Sequence, residues 1–332
     1  MHSILSLPDS AFVALARRRP TIDGQRLNRR LQFLVDGARR SFEGLAVPPT
    51  AMQLKLFEWI GRWVALSQID DARWRDLTVR GGGGERRRAR LYEPPLIPDR
   101  PGLLVFVHGG GWQVGSIEAY DGLCAFLART AGVKVLSLDY RLAWQAKFPA
   151  GFEDVVAGFV DAVDRAEELG VDRHRVAIGG DSAGGNIASA AALHLGADRS
   201  HRPKSAILIY PVVDGDLDRY GSAHLFRAPL TREIVNRDMR RYAPAAEDRR
   251  DPRFAVMAAS DLSQMPPTYI ATAGMDVLRD QGEAFAERLR DVGVAAEVRR
   301  FTDLPHGFVG MFVDPDARRA IDEIAEAVRA RV

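Results

Sequence analysis

The sequence predicts an α/β fold, a mostly parallel central sheet flanked by helices and carrying a helical cap, on three observations. Short continuous apolar runs recur along the chain and read as strands buried on both faces. Segments of helical pattern separate them, and two long stretches, 1–70 and 212–264, break the alternation. Strands that alternate with helices need crossover connections, and these build parallel sheets covered on both sides.

The elements follow in order. Two alternating segments, 74–80 and 88–92, flank the glycines 81–84 and predict a hairpin. The apolar runs 103–107 and 133–138 predict two buried strands, and acids alternating with apolar residues at helical spacing predict a helix over 152–169. A short strand at 176–178 leads into an Ala-rich helix from 183 to about 195, then a strand at 206–210. A strand at 268–273, a helix over 281–292, a strand at 296–301 and a last helix over 315–330 complete the series. The stretch 1–70 is largely helical in pattern. The stretch 212–264 is charged, lacks strand runs and is too long for a plain loop. Both are expected to form a cap over the carboxyl edge of the sheet, where open parallel sheets place their ligand sites. The core is then 71–211 together with 265–332.

Composition narrows the function classes. Apolar residues make up 46% and charged residues 27%, as in ordinary globular proteins, and 332 residues can bury an ample core. Lys and Arg number 46 against 44 Asp and Glu, a net charge of +2. The arginines are scattered along the chain, so nucleic acid is not an expected partner. Cys124 is the only cysteine, which excludes an intrachain disulfide and a cysteine-based zinc or iron–sulfur site and fits a cytoplasmic location. The first 19 residues lack the pattern of a signal peptide, and no apolar run reaches the roughly 18 residues of a membrane span. The oligomeric state is left open, a homodimer being one option.

Three motifs carry chemistry. Gly180-Asp-Ser182-Ala-Gly184 stands directly between a predicted strand and a predicted helix, the context of a nucleophile elbow: a tight turn with room for it at the glycines and the serine oxygen exposed at a helix N-terminus. Ser182 is the candidate nucleophile. His108-Gly-Gly-Gly-Trp112 follows the strand 103–107, and glycines there let backbone N–H groups approach a substrate carbonyl closely, as an oxyanion hole requires. Its donors are assigned to Gly110, Gly111 and the amide of Ala183. A phosphate loop is the competing reading, but no Lys-Ser or Lys-Thr follows. The chain order of nucleophile, acid and base is completed by Asp276, just after the strand 268–273, and His306, in a loop after the last strand. His224 lies inside the expected cap and is the poorer base. Asp280, four residues on, is the alternative acid, though an aspartate there also has a structural explanation as a helix cap.

Together, His108-Gly-Gly-Gly-Trp112, Gly180-Asp-Ser-Ala-Gly-Gly-Asn186, Asp276-x-Leu-x-Asp280 and His306-Gly-Phe308 resemble the bacterial hormone-sensitive-lipase family of α/β-hydrolase esterases, from about Leu103 to Phe308. Asp139-Tyr-Arg-Leu-Ala143 and Phe148-Pro-Ala150 also resemble the family's segment after its fourth strand. The resemblance implies the triad Ser182, Asp276 and His306, a serine carboxylesterase on small esters of short to medium acyl chain, no cofactor or metal, and a cap built from the N-terminus and the insertion. Trp112 and Trp144 are the expected substrate-binding side chains. The sequence departs from the family at Trp144-Gln145, where the family usually has Pro-Glu, and at Val277, where it usually has proline. An amidase such as an arylformamidase would use the same acyl-enzyme chemistry. A non-catalytic receptor, like the plant gibberellin receptors that resemble this family, would lack the base that His306 supplies here.

Overall fold

The computed structural model describes residues 19–46, 48–64, 73–97 and 99–332. Eight strands form one sheet: β1 (Arg73–Arg80), β2 (Arg86–Glu93), β3 (Leu103–Val107), β4 (Lys134–Leu138), β5 (Val176–Asp181), β6 (Ala206–Ile209), β7 (Thr268–Met275) and β8 (Ala296–Pro305). Their spatial order is β1-β2-β4-β3-β5-β6-β7-β8. The β1–β2 and β2–β4 pairs are antiparallel, and every other pair is parallel. Strands β3 to β7 are buried along their whole length, because helices cover both faces, and this produces the unbroken apolar runs of the sequence.

The longer helices are α1 (Arg29–Glu43), α2 (Ala51–Val64), α3 (Ile117–Ala131), α4 (Ala150–Asp164), α5 (Ala183–Gly196), α6 (Arg232–Tyr242), α7 (Arg279–Asp291) and α8 (Pro315–Arg331). Alanines at 183, 188 and 190–192 are buried, and their small side chains let α5 pack closely on β5 and β6. The predicted helix over 152–169 breaks at Arg165, whose φ of −98° and ψ of 20° leave the α region, and a single turn, Ala166–Leu169, follows. Helix α3 was not expected, although Ser116 caps its first turn by accepting the Ala119 N–H and left-handed Gly132 ends it.

Of the expected cap segment 1–70, residues 1–18, 47 and 65–70 lie outside the described residues; the described part contains α1 and α2, and α2 packs against α3. The stretch 212–264 contains α6 and short helical turns. Both of its ends are tied to the core. The Asn186 amide donates to Val212 O (3.0 Å) and Phe254 O (2.5 Å), and Gln281 Oε1 accepts the N–H groups of Val213 (2.7 Å) and Asp214 (3.0 Å). Among the described residues, no helix is long and apolar enough to cross a membrane.

Candidate active site

Parallel neighbours deliver their connecting loops to one edge of the sheet, and the site is assembled there. At the end of β5 the chain turns sharply into α5, and Ser182 at the turn has φ 54° and ψ −119°. A non-glycine residue held at such an angle costs about 1–3 kcal/mol, so the surrounding backbone must impose it. It does so through Ser182 N–H, which donates to Ile209 O of β6 (2.8 Å), and through the close approach of the flanking glycines. A Cβ on Gly180 would lie 2.4 Å from Val107 O, and one on Gly184 would lie 2.1 Å from the same oxygen and 2.5 Å from His108 O. The elbow and the loop after β3 are therefore in direct backbone contact, which only glycine allows.

That loop turns through positive φ at Gly110 (116°), Gly111 (61°) and Trp112 (59°). Its first glycine is held at both polar groups. Gly109 N–H donates to Asp181 Oδ1 (2.8 Å) and to the Tyr120 hydroxyl (3.1 Å), while Gly109 O faces His108 Nδ1 at 2.9 Å. The Tyr120 hydroxyl donates in turn to Asp181 Oδ2 (3.1 Å). Burial pushes the Asp181 carboxyl up to about 6, against the opposing pull of the Gly109 and Tyr120 hydrogen bonds and of His306. Burial also pushes His108 down to about 4, so its ring is neutral at pH 7 and Nδ1 carries the proton that Gly109 O accepts. The ring stacks on Tyr140 at 4.6 Å.

The candidate acid and base directly follow the last two strands, β7 and β8. His306 Nε2 lies 2.9 Å from Ser182 Oγ, and His306 Nδ1 lies 2.6 Å from Asp276 Oδ2. The three side chains, separated by up to 124 residues in sequence, thus meet in one chain of hydrogen bonds. The other carboxylate oxygen of Asp276 accepts the Leu278 N–H at 3.0 Å, a turn closed by its own side chain. This bond orients the carboxylate without a proline at 277. The Tyr210 ring sits 4.5 Å from the imidazole and backs it.

The alternative acid is engaged elsewhere. Asp280 Oδ2 accepts Ser222 N–H (2.7 Å) and Oδ1 accepts from Arg279 Nε (2.8 Å), which fastens α7 to the inserted stretch. His224 is bonded to Asp218 O at 3.1 Å within that stretch. Trp112, expected to meet substrate, is 1% exposed and stacks on Tyr242 at 5.3 Å, so it packs the glycine loop against α6. Trp144 is 40% exposed and stands outside the core. Sequence reasoning missed Asp181, Tyr120 and the clamp on Gly109, although Asp181 stands directly before Ser182. Among the described residues, no His, Cys, Asp and Glu side chains are grouped to hold a metal ion.

Comparison with known proteins identifies the family. The profile of a family described as alpha/beta hydrolase fold matches residues 104–310. The ethyl acetate hydrolase of Pseudomonas putida is 37% identical over 246 residues, covering 71% of this chain and 76% of that protein. The carboxylic ester hydrolase LipN of Mycobacterium tuberculosis is 38% identical over 270 residues, covering 77% of this chain and 70% of that one. The solved structure of a hyperthermophilic esterase from the archaeon Pyrobaculum calidifontis superposes with a TM-score of 0.76 at 34% identity, over 84% of this chain and 92% of that chain. With its elbow, its glycine loop and these relatives, the chain belongs to the α/β-hydrolase fold family, in the hormone-sensitive-lipase-like branch that holds carboxylic ester hydrolases.

Proposed function

We propose that the chain is a serine carboxylesterase that cleaves small esters of short to medium acyl chain through Ser182, His306 and Asp276. The observation that carries this reading is the continuous hydrogen-bonded path from Ser182 Oγ through both imidazole nitrogens to Asp276. Ser182 Oγ attacks the ester carbonyl and His306 Nε2 takes its proton. Asp276 holds the tautomer with the proton on Nδ1 and stabilises the imidazolium that forms. The imidazolium then protonates the departing alcohol, and a water deprotonated by His306 releases the acid from the acyl-enzyme. The amides of Gly110, Gly111 and Ala183 receive the oxyanion of both tetrahedral intermediates. The backbone contact of Gly184 with Val107 and His108 supports their convergence.

The stretch 212–264, with the described part of 1–70, forms the cap over this site. Two contacts support it for 212–264: the Trp112–Tyr242 stack, and Asp238 Oδ2 of α6, which lies 3.0 Å from where a Cβ on Gly111 would stand. A covered pocket of the usual few hundred Å³ favours acyl chains of about two to eight carbons. The name of the Pseudomonas relative, an ethyl acetate hydrolase, points the same way. Turnover of nitrophenyl acetate with inhibition by an organophosphate, and mass spectrometry placing the adduct on Ser182, is the expected result. An adduct on another serine, or full activity in a folded Ser182→Ala variant, refutes the proposal.

A further inference from the structure

The sheet is irregular at one place, between the two strands whose ends carry the acid and the base. Pairing of β7 with β8 is regular through Ala273↔Phe301 and resumes only at Met275↔Pro305, so a short stretch of β7 faces a longer stretch of β8. Within it Asp303 is left-handed, with φ 60°. A bulge of this kind leaves backbone groups without ladder partners, and buried ones need a substitute.

The substitute comes from the other end of the chain. The carboxamide of Gln25 lies between the two strands: its Nε2 donates to Gly274 O and its Oε1 accepts the Asp303 N–H, each at 3.0 Å. One amide that donates to one strand and accepts from the next does what a peptide group of the ladder would do. Gln25 is 8% exposed, and it can hold this place only beside a glycine, since a Cβ on residue 274 would fall 2.0 Å from Gln25 Oε1. The side chain is held by its own tight turn. Ile22 and Gln25 exchange both backbone hydrogen bonds (2.9 and 3.0 Å), and Asp23 and Gly24 between them have φ of 53° and 73°, the left-handed pair that an Asp-Gly turn adopts readily. Neighbouring residues grip the same two strands. Arg279 donates from one nitrogen to both Asp23 Oδ2 (2.6 Å) and Gly274 O (3.1 Å), and Arg26 N–H donates to Asp303 Oδ1 (2.8 Å).

Gly274 is two residues before Asp276, and Asp303 is three before His306. We propose that Gln25 is a positioning residue for ester hydrolysis, its carboxamide standing in for missing ladder bonds and so setting the separation of the Asp276 and His306 loops. This rests on the triad reading, because the separation matters only if the Asp276–His306 bond serves catalysis. At 2.6 Å that bond tolerates little displacement, and a shift of order 1 Å in a catalytic constellation can cost about a hundredfold in rate.

The test is Gln25→Met in the full chain, which keeps the volume and removes both hydrogen bonds. We expect kcat to fall about ten- to a hundredfold with KM within about threefold, the signature of lost positioning rather than lost binding. The far-downfield proton resonance of the imidazole Nδ1–H, identified by its absence in His306→Ala, should shift upfield or broaden in Gln25→Met. Labelling of Ser182 by an organophosphate should slow by the same factor as kcat. A folded Gln25→Met variant with wild-type kcat, or with an unchanged downfield resonance, overturns the proposal. If that variant does not fold, Gln25→Glu takes its place. It keeps the acceptor for Asp303 and loses the donor to Gly274, so both readouts should move in the same direction, and unchanged values overturn the proposal equally. The triad reading fails separately, if the organophosphate does not label Ser182 in the unmutated protein.

Discussion

Asp276→Asn and Asp280→Asn make the same chemical change four residues apart, and the structure assigns them opposite consequences. Asp276 Oδ1 is committed to the Leu278 N–H at 3.0 Å, so an asparagine keeps its carbonyl oxygen there and turns its NH₂ toward His306 Nδ1. Two N–H donors cannot share that contact. The imidazole then moves its proton to Nε2, the atom 2.9 Å from Ser182 Oγ, and the base is lost where the nucleophile needs it. Turning the amide over would satisfy the histidine but set NH₂ against the Leu278 N–H, leaving a buried donor unpaired at about 1–3 kcal/mol. A wrong tautomer in such a triad costs about 10⁴ in kcat, close to 5.4 kcal/mol at 1.36 kcal/mol per decade. Asp280→Asn instead opposes one donor among Ser222 N–H and Arg279 Nε, and Arg279 retains Asp23 and Gly274 O. It should lower stability by about 1–3 kcal/mol and leave turnover within about threefold. The assay is kcat/KM on nitrophenyl acetate beside thermal melts of both variants. If the Asp280 variant loses more turnover while both are folded, or the Asp276 variant keeps more than about a tenth, the tautomer argument is wrong.

Ser182→Ala and His306→Ala should each abolish most turnover, and the double variant should be no worse than either alone, because the residues act as a unit; additive losses in kcat would separate them. On nitrophenyl esters, each methylene should raise kcat/KM by up to about fourfold while it is buried, with an optimum at or below about eight carbons. An optimum at about twelve carbons or beyond, or a rate jump on emulsified triglyceride, contradicts the covered pocket. Asp181 holds its proton more tightly folded, at about 6, than unfolded, so its ionisation withdraws stability as pH rises from about 4 through 6. Asp181→Asn removes this ionisation but opposes the Tyr120 donor with its NH₂, so its melting temperature relative to the unmutated protein should rise as pH goes from about 4 to 7. A melting difference that does not change with pH would deny the ionisation.

The core of the fold was legible because its strands are buried on both faces. Leu103–Val107 and Ala206–Ile209 have no polar side to mask the signal, and the hairpin announced itself by glycines between alternating segments. Boundaries were less legible where tertiary contacts decide them. The last strand reads as ending at Phe301 because Thr-Asp-Leu-Pro follows, yet β8 continues to Pro305. Helix α3 is a different case: Ser116, Gly132 and an apolar spacing through Ile117, Tyr120, Cys124 and Ala128 carry its whole pattern in the sequence.

The candidate reacting groups could be nominated from sequence for a reason that does not extend to what holds them. Ser182, Asp276 and His306 each sit at the carboxyl end of a strand, where the fold exposes loops to substrate, so local context plus chain order suffices to nominate them. Their supports act across long separations with no local mark. Asp181 grips Gly109 from 72 residues away, and Gln25 reaches Gly274 from 249 residues away. A glutamine in a polar N-terminal stretch has no feature that distinguishes it from a solvated one. Its function arises from a register shift between two other strands, which is itself decided only when the sheet closes. Nucleophile, base and acid are chemical requirements and show in residue type, whereas their spacing is a requirement of geometry, met here by whichever side chain the packing brings to the gap.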